Sequence, residues 1–151
     1  MPVLFTRGDL DADIILRDGT TLRLRAVRDG DADAMVTLFA GLSERSLYYR
    51  FMMAHHVDLA EARRIVAPNP DDVLIVAERG GALCGIAGYY RANATPDRAE
   101  VAFAVADVLQ GHGLGTRMLE RLAEIGRERG VRAFDAYVLG DNLAMMDVFL
   151  Q

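Results

Sequence analysis

The sequence predicts an α/β fold in which a mixed, mostly antiparallel sheet is flanked by helices. Three observations lead to this prediction: a β-hairpin near the start, a meander of β-rich runs in the middle, and a strongly amphipathic helix followed by another strand. The length of 151 residues fits one domain, residues 1–151, of which we expect 1–12 to be a flexible lead-in. A chain of this size buries about two-thirds of the surface that it exposes when unfolded, so its core needs no disulfide or metal.

The hairpin is predicted by an Asp-Gly pair at positions 18–19 between the β-rich runs 14–17 and 20–27. This dipeptide suits a tight turn because its central residues adopt positive φ. Apolar residues alternate with Arg23 and Arg25 along the second run. We therefore expect one buried face, with both arginines on a solvated face.

The remaining elements follow from hydrophobic periodicity and from glycine and proline positions. We expect only the crossover through Leu114–Arg129, which ends at Gly130, to join parallel strands. In chain order the predicted elements are a helix over Ala32–Leu42 capped by Asp29 or Asp31, short helices over 43–53 and 59–66, strands over 73–78 and 83–90 joined at Gly80-Gly81, a strand over 99–105, the crossover helix, a strand over 131–139 and a last helix from Asn142.

Composition excludes several classes of function. The net charge of -5 and pI near 5.1 argue against broad binding to nucleic-acid phosphates. No apolar run approaches the roughly 20 residues of a membrane helix, and no signal peptide is evident, so we expect a cytoplasmic protein that is not bound to a membrane. The single Cys84 is expected to be a small core residue, and His55 and His56 to lie in a surface loop, so no metal is expected.

One glycine-rich segment is typical of a ligand-binding site. It lies between a strand and the crossover helix, where glycines let backbone N–H groups approach a ligand and the helix N-terminus adds a positive dipole end. Such a segment suits a phosphate or pyrophosphate, although its glycines are also compatible with no more than a tight turn. The residues concerned are Gln110, Gly111, His112, Gly113, Leu114, Gly115 and Thr116.

Three kinds of phosphate site have a glycine-rich segment of this general type. A P-loop requires a lysine, which is absent here. A dinucleotide-binding fingerprint has the spacing G-x-G-x-x-G early in a βαβ unit, whereas here G-x-G-x-G follows antiparallel strands and the acidic Asp135 lies mid-strand. The third kind is the pyrophosphate loop of coenzyme A enzymes.

At this point the sequence resembles the GNAT superfamily of N-acetyltransferases, whose acetyl-CoA motif is Arg/Gln-x-x-Gly-x-Gly/Ala. Gln110, Gly113 and Gly115 match this motif, and the resemblance covers residues 14–150. More narrowly, the sequence is similar to bacterial protein lysine acetyltransferases and to the acetyltransferase domains fused to acyl-CoA synthetases. The stretches concerned are Leu16–Thr20, Leu42–Ser46, Tyr49–Phe51 and Ala99–Phe103.

The resemblance implies a role for each part of the motif region. The strand over 99–105 would separate from the strand over 131–139, and the pantetheine arm of acetyl-CoA would bond to backbone groups of Phe103, Ala104 and Val105. A backbone N–H near Val105 would polarise the thioester carbonyl. Residues 110–116 would wrap the pyrophosphate, and Asn142 would contact coenzyme A.

Glu100 is the expected general base. An amine arrives protonated and must lose a proton before it attacks, and a carboxylate within reach can accept it. Strand alternation places Glu100 on one side with Ala102 and Ala104, which leave room for a substrate, while Val101 and Phe103 share the bulky side. The related acetyltransferases use a glutamate here, whereas a solvated glutamate at a strand start is the alternative.

Two departures from the family pattern bear on function. Phe149 stands where many members carry a tyrosine that protonates the leaving thiolate. The fold usually continues beyond the position of Gln151 through one or two strands; without them a sheet edge would be open to pairing with another chain. We expect acetyl transfer to an amine, most simply a protein lysine. A small-molecule amine as acceptor, or a non-catalytic acyl-CoA-binding module, remains open.

Overall fold

The computed structural model describes residues 11–42, 57–91, 96–106, 109, 111 and 113–135. These residues form a six-stranded sheet with helices on both faces, as the sequence predicts. The strands are β1 (Ala12–Ile15), β2 (Thr21–Ala26), β3 (Val73–Arg79), β4 (Ala82–Arg91), β5 (Arg98–Val105) and β6 (Ala133–Asp135), and the helices are α1 (Ala32–Ala40), α2 (Leu59–Ile65) and α3 (Leu114–Glu128).

The strands lie in the sheet in the same order as in the sequence. Each neighbouring pair from β1 to β5 is antiparallel, and only β5 and β6 run parallel. The chain passes between these two strands through α3, which confirms the predicted crossover. The sheet is therefore mixed and mostly antiparallel.

Each face of the sheet carries its own core. One core combines alternate residues of the strands with the apolar stripe of α3, including Met118 and Leu122, which are fully buried. The other core joins the remaining strand residues to α1 and α2. Along β5, Phe103 belongs to the α3 core and Ala104 to the core of α1 and α2, so the alternation predicted for this strand is confirmed.

The predicted turn glycines adopt the conformations expected of them. Gly19 has φ +87° in the β1–β2 hairpin, and Gly80 and Gly81 both have positive φ between β3 and β4. Gly130, with φ +85°, follows the end of α3. There the N–H of Val131 donates to the carbonyl of Gly126 at 2.8 Å, which closes the last turn and directs the chain into β6.

Arg25 corrects the expectation that both arginines of β2 lie on a solvated face. Arg23 is exposed, but Arg25 is only 5% exposed. Its guanidinium lies between Asp31, which precedes α1, and Glu78 on β3. The period-two pattern predicts the correct face, but the 3₁₀ turn over Asp29–Asp31 covers that face and supplies a carboxylate.

Several predictions fall outside the described residues. They concern the lead-in over 1–10, the short helix over 43–53 and the chain beyond Asp135, including the last helix and any further strands. Ala12, assigned to the lead-in, is instead the first residue of β1. The strand expected over 131–139 is described as β6, Ala133–Asp135.

Candidate active site

Glu100 lies exposed on β5, between two neighbouring strands. Its register partners are Tyr90 on β4 and Asp135 on β6. It shares the α1 and α2 side of the sheet with Ala102 and Ala104, as strand alternation requires. A carboxylate in this position is accessible to a substrate that approaches this side.

Small residues lie beside Glu100 on the same face. Ala102 is the register partner of Gly88 on β4. A Cβ on Gly88 would lie 3.0 Å from the carbonyl oxygen of Val73 and 3.1 Å from the hydroxyl oxygen of Tyr90. The Tyr90 hydroxyl therefore lies over Gly88, and the missing side chain at Gly88 makes room for it.

An ion pair joins β5 and β6 beside Glu100. The guanidinium of Arg98 donates through two nitrogens to both carboxylate oxygens of Asp135, with a distance of 3.1 Å from Nε to Oδ2. Hydrogen bonds from Arg98 hold the pKa of Asp135 below its ordinary value. The charge of Asp135 is thus compensated next to Glu100 by an ion pair that the sequence pattern does not predict.

The backbone of β5 alternates in the direction of its hydrogen-bonding groups. The N–H of Ala106 donates to the carbonyl of Cys84 at 2.8 Å, which directs Ala106 toward β4. In an antiparallel ladder this direction alternates from residue to residue. Ala104 is therefore directed toward β4, while Phe103 and Val105 direct their N–H and C=O groups toward the side on which β6 lies.

The glycine-rich segment leads into α3. Gly111 has φ +83°, and Gly113, the N-cap of α3, has φ +91°. Gly113 has no side chain with which to cap the helix, and the first turn carries no acidic residue, so the first N–H groups meet no carboxylate from the helix itself. Leu114 is fully buried and can offer a ligand only its backbone, whereas Gly115 and Thr116 are half-buried.

An arginine from the opposite end of the sheet reaches this segment. A Cβ built on Gly113 would lie 3.4 Å from Nε of Arg17 and 3.9 Å from its Cγ and Cδ. Arg17 follows β1 in the hairpin and is exposed. This contact of Arg17 cannot be predicted from the sequence, because periodicity does not show which loops meet in the folded chain.

Six other residues singled out by the sequence lie outside the described part of the chain. They are His55, His56, Gln110, His112, Asn142 and Phe149. Of the predicted site, the structure therefore describes Glu100, the β5 backbone and the glycine-bearing start of α3. The roles given to all of these residues remain predictions.

Other chemical groups in the described residues offer little for catalysis. Burial raises the pKa of the Cys84 thiol, which packs against the α3 core and is therefore a poor source of thiolate. Burial likewise raises the pKa of Tyr89, whose ring lies 5.8 Å from that of Phe134. Within the same residues, no group of three or more His, Cys, Asp or Glu side chains could hold a metal ion. Of the helices described, none has both the length and the apolar character needed to cross a membrane.

Comparison with known proteins identifies relatives of this chain. It is 30% identical over 136 residues to the acetyltransferase Pat of Mycolicibacterium smegmatis, a match that covers 88% of this chain and 41% of that protein. The chain thus spans about two-fifths of the length of this curated relative. Among solved structures, the GNAT domain of S. lividans PAT is 36% identical with a TM-score of 0.87, covering 93% of this chain and 85% of that one.

A second solved relative is longer. It is a cAMP-binding acyltransferase from Mycobacterium smegmatis, 28% identical with a TM-score of 0.65, and the match covers 92% of this chain but 41% of that one. The model of the Acetyltransferase (GNAT) family matches residues 40–151, which include Glu100, all of α3 and the glycine-rich segment. The chain therefore belongs to the GNAT family of acetyltransferases.

Proposed function

We propose that this domain transfers the acetyl group of acetyl-CoA to the side-chain amine of a protein lysine, with Glu100 as general base. The observation that carries the proposal is the position of Glu100, an exposed carboxylate on the same side of β5 as the small residue Ala102. Family membership supports the reaction class. The choice of a protein lysine rests on the similarity to Pat and on the resemblance of the sequence to bacterial protein lysine acetyltransferases.

The proposed reaction is a direct transfer. Glu100 accepts a proton from the ammonium group, either directly or through one water. The neutral nitrogen attacks the thioester carbonyl carbon, the C–S bond breaks, and coenzyme A leaves as a thiolate. A thiol of pKa about 8–9 is a fair leaving group, so departure does not require a tyrosine at the position of Phe149.

The backbone of β5 is proposed to bind the thioester end of the cofactor. The ladder alternation supports Phe103 and Val105 as the residues whose backbone groups meet the pantetheine arm and polarise the carbonyl oxygen. Ala104, whose backbone is directed at β4, would line this channel through its methyl group. Residues 110–116 are proposed to bind the pyrophosphate, and Asn142 to contact coenzyme A from the start of the last helix.

The test measures binding and turnover separately. Acetyl-CoA is titrated calorimetrically into the wild-type protein and Glu100→Gln, and thiol release is followed with protein-lysine and small-amine acceptors. We expect equal binding, with kcat lower by about 10²-fold or more in the variant, because glutamine is isosteric but cannot accept the proton. Turnover with small amines alone would contradict the proposed acceptor. Binding of acetyl-CoA without thiol release would favour an acyl-CoA-binding module. Absence of acetyl-CoA binding would contradict the proposed role of residues 110–116 in holding the pyrophosphate.

A further inference from the structure

We propose that Arg17 is a determinant of cofactor affinity and that its guanidinium binds the pyrophosphate of acetyl-CoA from outside the glycine-rich segment. This inference rests on the proposed function. The cation comes from the β1–β2 hairpin, a part of the chain remote in sequence from residues 110–116.

The position of Arg17 supports this role. Its Nε lies beside Gly113, where a Cβ on that glycine would be at 3.4 Å, so the guanidinium borders the N-cap of α3. The first-turn N–H groups and the arginine therefore meet at one place. A guanidinium suits a pyrophosphate because its N–H donors can engage two oxygens at once.

The surrounding charges support the same role. Among the described residues, Arg23, Arg25 and Arg98 are each held by carboxylates, whereas no described carboxylate forms an ion pair with Arg17. The side chain of Asp18, its neighbour, accepts a hydrogen bond from the Thr20 N–H within the hairpin.

The overall charge of the protein favours a local cation at this site. The chain carries a net charge of -5, so its long-range field repels a polyanionic cofactor. Backbone dipoles at a helix end supply only about half a positive charge. A full positive charge at Arg17 would offset the repulsion at the point where the pyrophosphate binds.

The experiment compares Arg17→Gln with Arg127→Gln in the same protein. Arg127 lies in the last turn of α3, about 20 Å along the helix from Gly113, so its substitution makes the same change in charge far from the segment. Steady-state kinetics are measured with acetyl-CoA, acetyl-dephospho-CoA and S-acetylpantetheine. The melting temperature of each variant confirms that it is folded.

We expect Arg17→Gln to raise KM for acetyl-CoA about tenfold, the size of one charge-assisted hydrogen bond at an exposed site, while kcat is retained. The same increase is expected with acetyl-dephospho-CoA, which keeps the pyrophosphate, and none with S-acetylpantetheine, which lacks it. Arg17→Lys should recover part of the loss, because lysine retains the charge but not the fork of donors.

Three results would overturn the inference. An equal KM increase with all three substrates would show that Arg17 acts only through the fold. If Arg17→Gln raised KM for acetyl-CoA but not for acetyl-dephospho-CoA, Arg17 would contact the 3′-phosphate and not the pyrophosphate. A change matched by Arg127→Gln would show a general charge effect. If the wild-type protein binds no acetyl-CoA, the proposed function itself fails, whereas normal wild-type binding with unaltered Arg17→Gln kinetics removes only the role of Arg17.

Discussion

The guanidinium of Arg25 makes two parallel hydrogen bonds to the carboxylate of Asp31, each of 2.8 Å, in a site where both side chains are less than 10% exposed. A third bond of 2.5 Å runs from Nε to Glu78 on β3. One side chain thus connects the second strand, the third strand and the turn that starts α1. These bonds hold the start of α1 against the side of the sheet on which Glu100 lies.

Asp31→Asn should destabilise the protein strongly, because it leaves the buried Arg25 charge without its main partner. We expect a loss of about 3 kcal/mol in the free energy of unfolding. Urea denaturation followed by circular dichroism measures this loss. Asp13→Asn is the matched control, since Asp13 contacts the exposed Arg23 at 3.3 Å and its substitution should leave the midpoint unchanged. Similar midpoints for both variants would contradict the role of the buried pair.

The same pair predicts how stability depends on pH. Burial raises the pKa of Asp31, but hydrogen bonds from Arg25 and from the backbone N–H of Arg28 outweigh this, so its pKa in the folded protein is below the ordinary value. Its contribution to stability is complete above the unfolded pKa, about 3.9, and is lost as pH falls through the folded value. The midpoint difference between wild type and Asp31→Asn should therefore be constant from pH 7 to 5 and narrow below about pH 4. A constant difference down to pH 2 would argue against this linkage.

Gly113→Ala and Gly130→Ala should have similar costs in stability but different effects on the cofactor. Both glycines have φ near +90°, at opposite ends of α3, so alanine should cost about 1 kcal/mol at either position. Only the alanine at 113 places a methyl group against Arg17. Titration with acetyl-CoA should show a severalfold weaker Kd for Gly113→Ala and an unaltered Kd for Gly130→Ala. Equal Kd values for acetyl-CoA in the two variants would show that the N-cap of α3 has no role in cofactor binding.

Ala102→Leu should impair use of the acceptor and spare the cofactor. The added atoms would occupy the space beside Glu100 on the α1 and α2 side, so kcat/KM for the acceptor should fall by about 10²-fold. Kd for acetyl-CoA should be retained. Ala12→Leu makes the same change in size at a partly buried position of β1, remote from Glu100 in the sheet, and should leave acceptor kinetics normal. A full-rate Ala102→Leu enzyme would show that the acceptor approaches elsewhere.

Local patterns predicted much of the fold. The Asp-Gly pair at 18–19 and the Gly-Gly pair at 80–81 predicted the two hairpins, and the apolar stripe predicted α3. Alternation along β5 placed Glu100 and Phe103 on opposite sides of the sheet. These features depend on residues close together in the sequence, whose period or turn preference is fixed by backbone geometry.

Contacts between remote segments could not be predicted in this way. The burial of Arg25 depends on where the turn at Asp31 lies, and the proximity of Arg17 to Gly113 depends on how α3 crosses the sheet. Neither contact produces a periodic pattern of residue types that could be recognised in a single sequence. The partner of Asp135 is hidden for the same reason, because parallel register is set by a crossover and not by a turn.

The order of the strands has a consequence for how the protein is made. Because every strand lies beside its neighbour in the sequence, the sheet can extend from β1 to β5 in the order in which a ribosome releases the chain. Most additions close a short connection, and only β3 has to wait for the longer segment that carries α1 and α2. The parallel strand β6 must wait until α3 has emerged and packed. Among the described strands, the pairing that brings Glu100 and Asp135 together therefore forms last, so the candidate catalytic carboxylate gains its neighbour on β6 only after α3 has been synthesised.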